Sequence, residues 1–210
     1  MKDYNQEYFY VERDGIDIYP SLHYVKGGGN YVEVDMLASK DVTTKRIMGF
    51  DDSTLGDPQL ADFHDLKHYA PVITERLKNV LESFNPKDTQ FLPTLIRDGH
   101  DNEHDGYYIL HVYNEIKSMD WEDSDWEKNR FNKEKASIER LVLDNEKIDV
   151  IPLEERLVFK VWEDSTHLLF HQSVVEKMLE IAPTGLTVYR LSEYDSQIPF
   201  IEEYMRSKGL

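Results

Sequence analysis

Residues 168–191 read LLFHQSVVEKMLEIAPTGLTVYRL, in which a strand pattern, a helix pattern and a second strand pattern follow one another. Ser173 and Glu176 have the capping-box spacing, in which each side chain satisfies a free backbone amide at the start of a helix. The apolar face that follows at helical spacing is formed by Val174, Met178 and Ile181. A Pro-Thr-Gly sequence at 183–185 then predicts the end of the helix. This order of strand, capped helix and strand indicates an α+β fold.

A second segment, residues 72–96, has the same order of elements. Thr74 stands where a helix cap is expected, and Asn85-Pro86 predicts the end of the helix. Its apolar face is formed by Ile73, Leu77, Val80, Leu81 and Phe84. A strand is predicted from Phe91 to Ile96. We therefore predict two capped helices, each within a strand–helix–strand unit.

Strand patterns dominate the rest of the chain. In the amino-terminal portion they are Tyr8–Val11, Ile16–Tyr19 and Tyr31–Val34, and further on they are Tyr107–Ile116, Leu141–Leu143, Leu157–Trp162 and His167–Phe170. Gly27-Gly28-Gly29 is interpreted as a strand connection, since no Gly-Lys-Ser/Thr follows it. Residues 119–135 are interpreted as loop or solvated helix. These patterns predict a mostly antiparallel sheet, with residues 1–60 as a strand-rich amino-terminal portion and 61–210 as the remainder of one compact domain.

The charge of the chain excludes several functions. Among 210 residues, 41 are Asp or Glu and 24 are Lys or Arg, which gives a formal net charge of −17. Direct binding to nucleic acid needs a positive surface, so the partner is expected to be basic instead. No apolar run reaches the roughly 20 residues that span a bilayer, and the acidic first 15 residues do not resemble a signal peptide. The absence of cysteine excludes disulfides and thiolate catalysis. We predict a cytoplasmic protein with no membrane association.

Two groups of histidines could bind a metal ion. His100-Asp101 and His104-Asp105 lie in a polar segment bounded by Gly99 and Gly106. We interpret this segment as a hairpin tip, because metal-dependent His-Asp hydrolases carry their ligands on helices. His64 and His68 have a spacing that could bind zinc from a helix, but the helix pattern there is weak, and we interpret them as surface histidines. We predict no catalytic residues, no metal and no cofactor.

A series of motifs from Val72 onward resembles a known family. The motifs are the helix from Ile73 to Leu81 followed by Phe91-Leu92-Pro93, the strand Tyr107–Val112 followed by Ser118-Met119-Asp120, the element Leu141–Asp144, and Leu168–Phe170 with Ser173 and Thr184-Gly185-Leu186. Over residues 65–191 the chain resembles the eleventh named immunity-protein family of bacterial polymorphic toxin systems. The resemblance implies a protein that binds a cognate toxin in the producing cell, without transferable catalytic residues.

The acidic window, Asp98–Glu127, is the most unusual segment of the chain. It contains ten acidic residues and one basic residue, Lys117, and it includes two tryptophans. Tryptophan is enriched among residues that dominate interface energy, and surrounding charge can steer association. We therefore predict a surface for a basic toxin, although a solvated acidic face would have the same composition. The predicted partner-binding residues are Asp101, Asp105, Asp120, Trp121, Glu122, Asp123, Asp125 and Trp126.

Three functions are compatible with these features. The first is a non-enzymatic immunity protein that binds and neutralises a bacterial toxin. The second is a metal-dependent hydrolase that uses His100, Asp101, His104 and Asp105. The third is an acidic adaptor module without a toxin partner. The resemblance favours the first.

Overall fold

A computed structural model describes residues 2–14, 22–24, 46–50, 59–66, 70–98, 100–196 and 199–209. The strands of this part of the chain are β1 (Tyr8–Arg13), β2 (Leu22–Tyr24), β3 (Arg46–Phe50), β4 (Phe63–Asp65), β5 (Pro71–Thr74), β6 (Thr89–Arg97), β7 (Glu103–Val112), β8 (Glu115–Ile116), β9 (Asp125–Lys128), β10 (Ala136–Arg140), β11 (Val158–Val161), β12 (Leu168–His171) and β13 (Leu186–Arg190). The α-helices are α1 (Glu75–Glu82), α2 (Asn145–Asp149), α3 (Gln172–Leu179) and α4 (Phe200–Lys208). None of these helices is long and apolar enough to cross a membrane.

The chain divides into two compact units. Unit 1 consists of Met1–Val11, Asn114–Glu180 and Thr187–Leu210, and unit 2 of Glu12–Tyr113 and Ile181–Leu186. Strand is more abundant than helix, and most strand pairs are antiparallel. The prediction of an α+β fold with a mostly antiparallel sheet is confirmed.

Unit 1 is built on a five-stranded sheet with the order β13-β1-β12-β11-β8. β12 is antiparallel to both β1 and β11, and β8 is parallel to β11. A separate two-stranded ribbon is formed by β9 and β10. The apolar cluster of this unit consists of Tyr4, Tyr8, Tyr10, Ile116, Met119, Ala136, Ile138, Leu141, Leu143, Ile148, Phe159, Val161, Leu169 and Leu191.

Unit 2 is built on a six-stranded sheet with the order β2-β3-β6-β7-β5-β4. Its centre is the long β6–β7 hairpin, which pairs Thr89 with Val112 at one end and Arg97 with Glu103 at the other. Its apolar cluster consists of Leu22, Leu66, Val72, Leu92, Ile96, Tyr107 and Ile109. Asp98 and residues 100–102 therefore lie in the turn of this hairpin, beyond its last residue pair.

Both predicted strand–helix–strand units are present, but their caps differ from the prediction. α3 begins at Gln172, and its cap is His171, whose Nδ1 accepts a hydrogen bond from the Ser173 amide at 3.2 Å. The prediction that Ser173 caps this helix is therefore wrong. β12 continues to His171, and the His171 imidazole occupies the cap position. Thr74 does occupy the cap position of α1, but its hydroxyl donates to Asp62 Oδ1 at 2.8 Å instead of capping the helix.

Three further predicted elements need correction, and three others lie outside the described residues. Residues 119–135 contain β9, so the prediction of loop or solvated helix is wrong for that part. The prediction of a strand at Leu141–Leu143 is wrong, since the segment forms only a single antiparallel bridge, between Leu143 and Met119. The strand predicted over Tyr107–Ile116 is two strands, β7 and β8. The predictions for Ile16–Tyr19, Gly27-Gly28-Gly29 and Tyr31–Val34 lie outside the described residues.

A half-buried histidine, His167, is expected to make the stability of unit 1 depend on pH. His167 Nδ1 lies 2.6 Å from Tyr10 Oη, and its Nε2 lies 3.3 Å from the Ile138 carbonyl oxygen. A neutral imidazole satisfies both groups, by accepting from the tyrosine and donating to the carbonyl. Burial lowers the pKa of His167 from its ordinary value of 6.5. The unfolded chain therefore binds more protons than the folded chain as the pH falls through about 6.5.

We expect the free energy of unfolding to decrease between pH 7.5 and pH 5.5, and to decrease less in His167→Gln. The reason is that folding must keep this imidazole neutral, whereas glutamine does not titrate. Denaturant unfolding at a series of pH values measures both slopes. Equal slopes in the two proteins would show that His167 does not contribute to the pH dependence.

Candidate functional site

Two exposed tryptophans lie close together, Trp121 in the connection between β8 and β9 and Trp126 on β9. Trp121 is 40% exposed and Trp126 is 41% exposed, which is unusual for side chains of this size. Their rings pack edge to face, with centroids 4.7 Å apart and an interplanar angle of 85°. The Trp126 indole N–H donates to the Trp121 carbonyl oxygen at 3.1 Å. The pair is thus fixed in place, and we call Trp121, Glu122, Asp123, Asp125 and Trp126 the tryptophan surface.

The turn that carries this surface is organised by Asp120. Its Oδ1 accepts hydrogen bonds from the amides of Glu122 and Asp123 at 2.9 and 3.2 Å, and its carbonyl oxygen accepts from the Ser124 amide at 3.1 Å. Side chains that bond to nearby amides in this way stabilise turns. Asp120, a predicted partner-binding residue, therefore has its carboxylate engaged inside the turn.

The same turn is joined to the segment 141–147. The Asp120 amide donates to the Val142 carbonyl oxygen at 2.8 Å. The Ser124 hydroxyl, which is buried, both accepts from the Val142 amide at 2.9 Å and bonds to its carbonyl oxygen at 3.2 Å. Lys147 Nζ donates to the Met119 carbonyl oxygen at 2.9 Å. These bonds give the tryptophan surface a fixed support, as binding sites require.

The acidic residues of the tryptophan surface are not equivalent. Arg140 Nε donates to Asp125 Oδ2 at 2.7 Å, and an Arg140 Nη donates to the Asp123 carbonyl oxygen at 2.7 Å. The hydrogen bond to Asp125 raises the pKa of Arg140. All three acidic side chains are exposed, but the charge of Asp125 is partly balanced by Arg140. Among the described residues, Glu122 and Asp123 form no ion pair of this kind.

The loop between β9 and β10 presents an aromatic residue that the sequence analysis missed. Phe131 is fully exposed, at 100%. Asn129 Oδ1 fixes the loop by accepting from the amides of Phe131 and Asn132 at 2.9 and 3.0 Å. A single aromatic residue within the polar sequence KNRFNKEK, at 128–135, was the available signal. This segment has four basic residues and one acidic residue, so the net charge changes from negative in residues 122–127 to positive in residues 128–135.

The predicted residues Asp101 and Asp105 lie in unit 2, Asp101 in the turn between β6 and β7 and Asp105 on β7. The tip is organised by Asp98, whose carboxylate accepts from the His100 and Asn102 amides at 2.8 and 2.9 Å and lies 2.9 Å from His104 Nε2. Hydrogen bonds from His104 and then from Asn102 hold the pKa of Asp98 below its usual range. Asp101 and Asp105 are both exposed.

The hairpin tip does not gather metal ligands. His100 is exposed, and His104 is bonded to Asp98. Within the residues that the structure describes, no group of three or more His, Asp or Glu side chains could hold a metal ion. Nothing in the arrangement of His100, Asp101, His104 and Asp105 therefore favours the hydrolase.

His64 is placed differently from the expectation. It lies on β4 and is fully buried, and its Nε2 accepts a hydrogen bond from the Ala61 amide at 3.0 Å. The prediction of a surface histidine is wrong for this residue, because β4 joins the edge of the sheet and the His64 ring packs near that of Tyr107, with the centroids 6.1 Å apart. His68 lies outside the described residues.

A buried polar cluster in unit 1 has a structural role. An Arg156 Nη donates to Tyr8 Oη at 2.8 Å, and Tyr4 Oη donates to Asp149 Oδ1 at 2.6 Å. Burial raises the pKa of Tyr8 to about 12. A phenol with this pKa stays protonated near neutral pH, so Tyr8 is unsuited to act as a general base.

Residues 43–190 match the model of the immunity protein family Imm11. The match covers well over half of the 210 residues. The chain belongs to the Imm11 family. Membership implies a role in toxin immunity and a toxin as partner, and it confirms the resemblance noted over residues 65–191. A comparison with the curated proteins gives no match.

Several of the motifs that carried the resemblance make hydrogen bonds that hold the fold. Thr184 donates to Asp62 Oδ2 from its amide at 2.9 Å and from its hydroxyl at 3.0 Å. Gly185, which follows it, has a φ of +80° and lies against Ala61 and Phe63. The motifs at 118–120 and 141–144 are hydrogen-bonded to each other below the tryptophan surface. The Imm11 match therefore includes the support of this surface.

Proposed function

We propose that this Imm11 protein binds a cognate toxin through the tryptophan surface and neutralises it in the cytoplasm of the producing bacterium. The toxin would belong to a polymorphic toxin system, and inhibition would need binding only, without catalysis. The observation that carries the proposal is the pair formed by Trp121 and Trp126, which is exposed and yet fixed. Membership of an immunity protein family supplies the class of partner.

The fixed geometry of the pair favours tight binding. A side chain that already has its bound conformation loses little conformational entropy when a partner covers it. Each tryptophan keeps about two fifths of its surface exposed, so contact with a partner would remove a large aromatic area from water. Buried tryptophans surrounded by polar residues are typical of interface hot spots.

The charges around the pair specify the partner. Glu122 and Asp123 complement a basic patch, as a toxin that acts on an anionic substrate would provide. Phe131 and its neighbours Lys128, Arg130 and Lys133 complement an apolar patch with acidic surroundings. The partner expected from this pattern is therefore a protein with charges of both signs, and direct binding of nucleic acid is not expected.

We expect the cognate toxin to be encoded by the gene adjacent to this one, and the binding test uses that toxin, purified in an inactivated form. We expect a 1:1 complex that survives gel filtration, as tight immunity complexes do. A chain that folds normally and forms no complex with this toxin would refute the proposal.

Charge removal is expected to slow association. The variant Glu122→Gln/Asp123→Asn should bind the toxin about fivefold more slowly at low salt, because long-range attraction increases the encounter rate. The difference should shrink at 1 M salt, where the Debye length is about 3 Å. Stopped-flow or surface binding kinetics across a salt series measure the effect.

The matched control for this variant is Glu75→Gln/Glu154→Gln, which removes two exposed acidic charges elsewhere in the sequence. It should associate at nearly the wild-type rate. If the two variants have the same association rate, net charge explains the result, and the tryptophan surface has no special role in steering.

A further inference from the structure

Among the strands that the structure describes, none pairs with the outer edge of β9 in the β9–β10 ribbon. The edge of β10 that faces away from β9 is occupied, since the Ala136 amide donates to the Glu163 carbonyl oxygen at 2.8 Å and the Ile138 amide donates to Asp164 Oδ2 at 3.1 Å. β9 pairs with β10 and, within the described ranges, with no other strand. Half of the backbone groups of an edge strand point away from its partner. β9 therefore presents backbone donors and acceptors on its outer edge.

The side chains of β9 divide between two faces. All four residues of the strand are exposed. Trp126 and Lys128 are paired with Ile138 and Ala136, which are both buried, so these four share one face of the ribbon. Side chains alternate along a strand, which places Glu127 on the opposite face. An added strand would therefore meet Trp126 and Lys128 on one face and the acidic Glu127 on the other.

We propose that β9 accepts an extended segment of the toxin as a third strand of this ribbon, a mode that rests on the proposed function above. The segment would alternate Lys or Arg with apolar residues. Its basic side chains would lie beside Glu127 and its apolar side chains beside Trp126, since opposite charges and aromatic pairs on neighbouring strands are stabilising. Backbone hydrogen bonds would supply affinity, and the two faces would supply specificity.

The open edge of β9 is less well suited to self-association or to simple protection against pairing. A second copy of the chain would bring another net charge of −17, and a twofold contact would place the acidic surface against itself. Charged residues do protect edge strands from unwanted pairing. A purely protective edge, however, would not need the exposed Trp126, nor the fully exposed Phe131 that follows it.

Amide hydrogen exchange of the full chain tests strand addition. The toxin encoded beside the gene, in inactivated form, is added to the isotope-labelled chain, and exchange at Asp125–Lys128 is followed by NMR. We expect the amides of β9 that point outward to exchange at least about tenfold more slowly in the complex. A 1:1 complex in which these amides keep their free rate would overturn strand addition and leave the proposed function intact. Failure to form a complex would overturn both.

A charge reversal provides the second test. Glu127→Lys should weaken toxin binding at least about tenfold, because it opposes a basic strand. The control Glu139→Lys makes the same change at an exposed residue of β10 and should weaken binding less than about threefold. If both substitutions weakened toxin binding equally, the proposal would be overturned. Sedimentation of the free chain completes the test by measuring its oligomeric state. If the wild type is a dimer and Glu127→Lys is a monomer, the edge of β9 binds a second copy of the chain, and the proposal is overturned.

Discussion

Replacement of Gly185 by alanine is expected to lower the free energy of unfolding by about 3 kcal/mol. A Cβ atom at this position would lie 2.7 Å from the Phe63 carbonyl oxygen and closer still to Ala61 Cβ. The backbone has a φ of +80°, which L residues adopt at a cost of about 1 kcal/mol. Both effects act at the point where 184–185 meets β4 through a hydrogen bond from the Phe63 amide to the Thr184 carbonyl oxygen. Denaturant unfolding measures the change.

Gly106→Ala is the matched control. Gly106 has nearly the same backbone conformation, with a φ of +79°, but no atom lies within 4 Å of the position that its Cβ would take. In this variant the free energy of unfolding should decrease by only about 1 kcal/mol, the cost of the left-handed backbone conformation. If Gly185→Ala and Gly106→Ala have the same free energy of unfolding, the close approach of Gly185 to Ala61 and Phe63 does not explain the effect of the substitution.

Replacement of Trp126 by alanine is expected to increase the dissociation rate of the toxin about 30-fold, the equivalent of about 2 kcal/mol. The change removes an anchor, its hydrogen bond to the Trp121 carbonyl oxygen and the edge-to-face contact between the two rings. The association rate should change much less, because short-range contacts mainly determine how long a complex lasts. Surface binding kinetics separate the two rates.

Leu153→Ala is the control for this variant, since Leu153 is an apolar residue of unit 1 with the same exposure as Trp126, 41%. Its dissociation rate should equal that of the wild type. A similar increase in both variants would point to a general loss of stability, and denaturant unfolding of each variant identifies that case.

The two strand–helix–strand units could be predicted because their signals are local. In residues 72–96 and 168–191 the periodicity of apolar residues changes from strand to helix within one short segment. The caps were harder to predict. His171 replaces Ser173 as the cap because β12 extends one residue further than its apolar pattern suggests. The five residues of α2 are too few for a periodic pattern to appear.

The elements that were missed depend on contacts between distant residues. β9 has four exposed side chains and no apolar alternation, and it exists because it pairs with β10. Leu141–Leu143 has the composition of a strand, but its backbone bonds to the turn at 118–124 instead. Asp62 and Thr184 meet although 122 positions separate them. A single sequence contains no local signal for such pairs.

The candidate site could be predicted in part. Trp121 and Trp126 were identified because tryptophan is unusual in an acidic run, and the structure places them together. The sequence did not indicate that Asp120 is used within the turn, that Arg140 pairs with Asp125, or that Phe131 is fully exposed. Those properties depend on how the backbone is folded around each side chain.

The most direct test of the tryptophan surface is protection of cells. The toxin encoded beside this gene is expressed together with the wild-type chain or with Trp121→Ala/Trp126→Ala, at matched levels of soluble immunity protein. The account predicts that the wild type restores growth and that the double variant, although folded, does not. Full protection by the double variant would contradict the claim that this surface neutralises the toxin.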